Sequence, residues 1–208
     1  MLTGSEHENL VWDGNFQYEG LTRLAVPAQG SCLFHTIAKA YFKPYILGEH
    51  QGKKLNRTKF IQRLRQDLSK MLGQKINPSD PKSKTYYETL SHGEFVRISK
   101  EMPEYSLQSM QEELADSSKP VSDIYNEFIS DQLNIDIYIL DYEKQDVYMN
   151  GGDSNLLYKN RPSVVLLYLP NHYELIGIAK GNSISTNFAP DDPFIQYIKN
   201  RMSQLLAD

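Results

Sequence analysis

The run Ser163-Val164-Val165-Leu166-Leu167-Tyr168-Leu169 constrains the fold more than any other stretch. A strand points successive side chains to opposite sides. A run that is apolar at nearly every position therefore reads as a strand buried on both faces. It lies in a β-rich second half. Ile135-Asp136-Ile137-Tyr138-Ile139-Leu140 is β-branched and aromatic, which suits a pleated strand. Val147-Tyr148-Met149 reads as a short strand ending at the turn Asn150-Gly151-Gly152-Asp153. Pro170-Asn171 breaks the long run, and Tyr173 to Ala179 forms a further strand ending before Gly181-Asn182.

The first half follows a different period. Residues 1–20 show none and read as an arm, followed by a short strand from Leu21 to Val26 closed by Pro27. From Cys32 to Phe42 the apolar residues Leu33, Phe34, Ile37, Ala38 and Tyr41 recur at helical spacing. Ser31 is placed to cap that helix and Pro44 to end it. Leu47 to Lys54 is a polar loop. Arg57 to Leu72 carries the clearest stripe (Phe60, Ile61, Leu64, Leu68, Met71 and Leu72), with Gly73 as its C-terminal cap. Asn77 to Pro81 is a turn cluster. Weaker helices follow over Tyr86 to Ile98 and Leu107 to Leu114, then a stronger one over Ser122 to Leu133. Asp192-Pro193 opens a terminal helix with Phe194, Ile198, Met202 and Leu205 or Leu206 on one side. Helices first and strands later, around one sheet, give an α+β (α/β-like) fold with a small central β-sheet flanked by helices.

A chain of 208 residues, 40% hydrophobic and 23% charged, can bury a core of this kind as one domain with a short appendage. The domain expected is 21–180, preceded by the arm and followed by a tail and helix over 181–208 that pack on it. The 22 basic and 26 acidic residues form no basic block, so nucleic-acid binding has little electrostatic support. One cysteine excludes an internal disulfide and any zinc site of paired cysteines, and a free thiol fits a reducing compartment. The polar, acidic start offers no apolar signal region, and no apolar run reaches membrane-span length. The chain reads as a cytoplasmic protein, monomeric, with no metal or cofactor and no membrane or nucleic-acid partner.

That one cysteine, Cys32, falls in the first turn of the first helix, after Gln29-Gly30-Ser31. A lone cysteine is most often a small buried apolar residue. At a helix N-terminus, however, the positive end of the backbone dipole favours the thiolate, the form that attacks carbonyls. Gly30 permits a sharp turn whose amides can converge on a developing oxyanion, where each such donor is worth about 2.7–4 kcal/mol to a transition state. A thiol nucleophile needs a base. His7 lies in the arm, His50 in the polar loop, and His92 before Gly93 in an exposed setting. His35 shares the helix of Cys32 and reads as a surface or packing residue. His172 opens a strand after the buried run, held by backbone on both sides, and Glu174 follows two residues on, along the same side of an extended chain. A carboxylate there can orient an imidazole and stabilise its cation.

These two segments together resemble the ovarian tumour (OTU) family of cysteine proteases. The family's Asp-Gly-Asn-Cys-Leu-Phe stands here as Gln29-Gly30-Ser31-Cys32-Leu33-Phe34. Its apolar strand, then His, an aromatic and Asp or Asn, stands here as Val164 to Tyr168, then His172-Tyr173-Glu174. The resemblance spans roughly Leu21 to Ala179. It implies a papain-like cysteine protease fold of OTU type and an isopeptidase acting on ubiquitin or ubiquitin-like modifiers. Carried over by position, Cys32 is the nucleophile, His172 the base and Glu174 its orienting group, with Asn171 as the alternative. Gln29, Gly30 and Cys32 supply the oxyanion hole. The segment between the second long helix and Pro120 becomes an arm that grips the modifier. Glu143, Asp146 and Asp153 become candidates to meet arginines of its tail, although acidic hairpin residues are usually just solvated. Two positions depart from the family pattern: Gln29 stands for Asp, and Glu174 for Asp or Asn. They motivate a rival, a weak or inactive OTU-fold module that binds ubiquitin-like proteins. A Cys-His acyltransferase or amidase is a second rival.

Overall fold

The computed structural model describes residues 6–149, 151 and 153–207. The expected turn at 150–153 and the first residues of the arm lie partly outside them. The strands are β1 (His7–Asn9), β2 (Leu21–Leu24), β3 (Glu49–His50), β4 (Lys53–Lys54), β5 (Asp136–Asp141), β6 (Asp146–Val147), β7 (Ser163–Leu169), β8 (His172–Lys180) and β9 (Ser183–Ser185). The helices are α1 (Cys32–Tyr41), α2 (Lys43–Leu47), α3 (Arg57–Leu72), α4 (Tyr86–Thr89), α5 (Glu94–Ile98), α6 (Leu107–Ala115), α7 (Asn126–Leu133), α8 (Ser154–Leu157) and α9 (Pro193–Ala207). All the strands but β3 and β4, which make a small hairpin, join one curled sheet in the order β1-β2-β8-β7-β5-β6, with β9 on β8. The fold is mixed α+β, a central sheet flanked by helices.

The alternation along the long apolar run explains why it is apolar throughout. Ile137, Ile139, Val164, Leu166 and Leu175 face a helical layer that includes Leu33, Phe34 and Ile37 of α1, Ile61 and Leu68 of α3, Met110 of α6 and Phe128 of α7. The alternate residues Tyr138, Leu140, Val165, Leu167, Ile176 and Ile178 face α9 and the aromatic side chains Trp12 and Phe16. Burial of a side chain of this size contributes about 1.5–3 kcal/mol, so two covered faces give the middle strands their fixed register. β5 and β7 run parallel, and a buried cluster pins their shared end. The Asp136 carboxylate accepts from the Lys159 and Arg161 amides and from Arg161 Nε, and Arg161 also reaches Asp131.

Most of the expected elements form, with local differences. Ser31 caps nothing through its side chain, because its hydroxyl is committed elsewhere. The helix expected over Tyr86 to Ile98 is broken: Ser91 and His92 adopt left-handed backbone conformations between α4 and α5. The polar loop of 47–54 contains the small hairpin, with Glu49 opposite Lys54. The arm is not featureless either. His7–Asn9 pairs with β2, and Trp12 and Phe16 are core residues. A strand of three residues carries too few positions to show a period. Among the described residues no helix is long and apolar enough to cross a membrane.

Candidate active site

The chain before α1 makes a tight turn that only glycine allows. A Cβ on Gly30 would lie 2.2 Å from the Ser118 carbonyl oxygen, so the turn packs backbone to backbone against the 117–119 loop. Within it the Gln29 amide donates to the Pro27 carbonyl and the Cys32 amide to the Gln29 carbonyl, both at 3.0 Å. Two of the three amides expected to converge on an oxyanion, those of Gln29 and Cys32, are thus bonded inside the turn in the free protein. Catalytic hydrogen bonds often align only when substrate arrives, and here that alignment requires the turn to exchange these two bonds. The Gln29 side chain is exposed.

Cys32 is the first residue of α1 and is buried. Burial pushes its thiol pKa up, whereas the backbone amides of Tyr173, Leu33 and Cys32 itself and the charge of Arg65 pull it down. The Tyr173 amide is the informative neighbour, because it belongs to the strand that begins with His172. A second tie joins the same elements. Thr36 Oγ1, which donates to the Cys32 carbonyl at 2.7 Å, lies 3.5 Å from the Tyr173 carbonyl.

His172 reaches this place through the β7–β8 hairpin. Pro170 and Asn171 form the turn and Leu169 pairs with His172. Asn171 has φ 58°, a left-handed conformation that asparagine tolerates better than most residues. Asn171 therefore shapes the turn, and its side chain is exposed. Burial lowers the His172 pKa, opposed by the Glu174 carboxylate and by the Val26 carbonyl, while Arg23 lowers it further. Val26 lies on the strand-to-turn segment that leads to Cys32. The ring of His172 thus neighbours the approach to the nucleophile turn while the sulfur neighbours the backbone of Tyr173. Nδ1 of His172 is buried without a hydrogen-bond partner among the described residues.

Glu174 does not fill that gap. Its carboxylate is held by Arg23, whose Nε donates at 3.2 Å and whose Nη2 makes a second, shorter contact. Both side chains are largely buried, and the guanidinium also lies over the Tyr142 ring, 5.2 Å from its centroid. The carboxylate expected to bond the imidazole acts on it through space. The reason is the pairing of β2 with β8, which brings an arginine diagonally across from Glu174.

His35 proves to be a packing residue. It is buried, its Nδ1 lies 2.6 Å from the Tyr45 hydroxyl, and burial lowers its pKa. Of the acidic residues expected to meet substrate, Asp146 is occupied by Arg201 of α9 through both carboxylate oxygens. Asp153 caps α8 and pairs with His92 Nε2 at 3.1 Å. It also lines a cleft of about 260 Å³ with Ser91, Phe95 and Glu127. Glu143 is exposed in the β5–β6 turn.

Sequence reasoning missed two arginines. Arg23 carries little signal, since one charged residue in a short strand is ordinary. Arg65 carries more. It stands four residues after Ile61 and three before Leu68, on the apolar side of α3, and it is fully buried. Among the described residues no group of histidine, cysteine and carboxylate side chains is arranged to hold a metal ion.

No protein-family model matches the sequence, and no curated protein matches it. Solved structures do match. An ovarian tumour (OTU) domain in complex with ubiquitin aligns over 89% of this chain and 84% of its own, at 18% identity and a TM-score of 0.51. The viral OTU domain protease from Farallon virus aligns over 76% and 85%, at 12% identity and a TM-score of 0.44. An OTU deubiquitinase from Wolbachia pipientis wMel aligns over 88% and 97%, at 10% identity and a TM-score of 0.42. Similarity at this level concerns architecture, and the first of these alignments carries it: the chain has an OTU-type fold.

Proposed function

On this OTU-type fold we propose a cysteine isopeptidase that releases ubiquitin or a ubiquitin-like modifier from lysine through a thioester on Cys32. The observation that carries the reading is a double contact between two segments far apart in sequence. The Cys32 sulfur meets the Tyr173 amide, and the adjoining His172 ring, beside Val26, keeps a buried Nδ1 unpartnered. A buried imidazole nitrogen without a partner is unfavourable, and a hydrogen bond accepted from the thiol would satisfy it and set up the proton transfer.

In the proposed sequence His172 takes the Cys32 proton as the sulfur bonds to the carbonyl carbon of the modifier's last residue. The carbonyl π electrons move to oxygen, which the opened Gln29–Cys32 turn receives. When the tetrahedral species collapses, the carbon–nitrogen bond breaks and the lysine amine leaves with the proton from His172. Water, deprotonated by the same ring, then attacks the thioester and regenerates the thiol. Glu174 stabilises the imidazolium at a distance, with its charge partly neutralised by Arg23.

A modifier-binding module without turnover is the second reading, favoured by the Glu174–Arg23 pair and by the occupied amides of the turn. One experiment separates the two. Ubiquitin and ubiquitin-like proteins carrying an electrophile at the C-terminus are incubated with the protein, and the adduct is mapped by mass spectrometry. Covalent capture at Cys32 by one of them is the expected result. Binding without an adduct supports the module, and an adduct elsewhere removes Cys32 from the reaction.

Glu174→Gln is expected to lower kcat about tenfold, well short of the loss from removing the base, because an orienting charge contributes less than the group that moves the proton. Since Glu174 raises the His172 pKa, its neutralisation should move the acidic limb of the pH–rate profile to lower pH. A limb that stays in place would remove Glu174 from the electrostatics of the site.

A further inference from the structure

The nucleophile turn is tied to the rest of the protein by a buried cation. Arg65 of α3 donates from Nε to the Leu114 carbonyl at 2.8 Å and from Nη2 to the Glu113 carbonyl at 2.9 Å. Its Nη1 donates to the Lys119 carbonyl at 2.7 Å and to Ser31 Oγ at 2.9 Å. Ser31 Oγ donates in turn to the Ser117 carbonyl at 2.7 Å. The guanidinium also lies over the Phe34 ring, 5.0 Å from its centroid. It thus holds α1 at the residue before Cys32 and at the residue two after it.

The chemistry of the clamp is unusual for a buried charge. All four acceptors are neutral: three carbonyls and one hydroxyl. Two of those carbonyls end α6, where the negative end of the helix dipole faces a cation favourably. An arginine whose hydrogen bonds go to neutral groups is not paired ion to ion, and the low dielectric of the interior extends its field. The carboxylates of Asp116 and Glu113 act on the guanidinium through space and offset part of its charge. Tyr173 on β8 is the other ionisable side chain that interacts with the thiol, while His172 and Glu174 on β8 and Arg23 on β2 act on one another, and the His35 ring on α1 is turned to Tyr45.

We propose that Arg65 is the positioning residue of the nucleophile: its fork fixes the Gly30–Ser31 turn against the 113–119 segment and keeps a positive charge behind Cys32. A lysine in its place would supply the charge but not the planar fork that reaches Ser31 and three carbonyls together. The sequence carries the same message, because the apolar side of α3 has no packing use for an arginine.

The inference rests on Cys32 as the reacting thiol, and its test uses a reagent that needs no protease activity. The rate of Cys32 alkylation by iodoacetamide is measured against pH for the wild type, Arg65→Met and Arg65→Lys. Thermal melting is followed in parallel. Arg65→Met is expected to move the alkylation midpoint upward by about half a unit, making the reaction about threefold slower at neutral pH. Arg65→Lys should return the midpoint towards the wild type. In isopeptide cleavage both variants should lose about 10–100-fold in kcat with little change in KM, the pattern of a misplaced nucleophile. A residue that only stabilises the fold would lower the melting temperature and leave the midpoint of the folded fraction where it was. That result overturns the proposal.

Should Arg65→Met fail to fold, Ser31→Ala decides, because it detaches the turn from the guanidinium and leaves the core intact. Slower alkylation in a folded Ser31→Ala supports the clamp, and a wild-type rate overturns it. If the wild type cleaves no conjugate while the alkylation midpoint still moves, the proposed activity is wrong and the clamp stands.

Discussion

Cys32→Ala is expected to give a folded protein that no longer cleaves a lysine-linked ubiquitin conjugate and no longer takes up an electrophilic ubiquitin. The loss should reach at least about 10⁴-fold in kcat, the scale seen when a covalent nucleophile is removed. No substitute is at hand: Cys32 is the only cysteine in the chain, and Thr36, its neighbour one turn along α1, spends its hydroxyl on the Cys32 carbonyl. The structural effect should be small. Alanine keeps the helix-forming backbone of α1, and loss of one buried sulfur costs about 1 kcal/mol. A denaturation midpoint close to the wild type, beside absent turnover, is therefore the signature to measure. Substantial turnover by the folded variant would transfer the chemistry to another group and end the isopeptidase reading.

The features that led to this prediction were legible because they are local. Helical spacing from Leu33 to Tyr41 places Cys32 in a first turn, and Gly30 marks a turn whose need for glycine the structure explains by the Ser118 carbonyl. The apolar run of β7 announced cover on both faces, and both faces are covered. The elements that escaped depend on partners distant in sequence. Glu174 stands where an orienting carboxylate belongs, yet its contact is Arg23, 151 positions earlier, brought there by strand pairing. Ser31 has the chemistry of an N-cap, but Arg65 and Ser117 claim its hydroxyl. Asp146 looked solvated and is ion-paired to Arg201, on the last helix. Each short-range preference was sound and lost to a tertiary partner. The break at Ser91 and His92 is of the same kind, since the Ser91 amide donates to Glu127 Oε2 of α7 at 2.9 Å.

His172→Ala should lower kcat by about 10³-fold near pH 7.5, and its pH dependence is the stronger test. Burial acts on the two partners in opposite directions: it lowers the imidazole pKa and raises that of the thiol. The pair therefore rests neutral at physiological pH, and the reaction needs the ring to accept a proton as the sulfur attacks. In the wild type, cleavage should fall on acidification only once the ring itself protonates, at a pH below that of an ordinary histidine. Without the ring, attack depends on thiolate formed by simple ionisation. That species is scarce until the pH passes the raised thiol value, and the leaving amine must draw its proton from water. The residual rate of His172→Ala should consequently climb about tenfold per pH unit through the neutral range, where the wild-type profile is flat. The measurement is kcat/KM on an isopeptide-linked substrate from pH 5.5 to 9.5 for both proteins. A flat profile in the variant, or a wild-type acidic limb that survives the substitution, would show that the proton goes to some group other than His172.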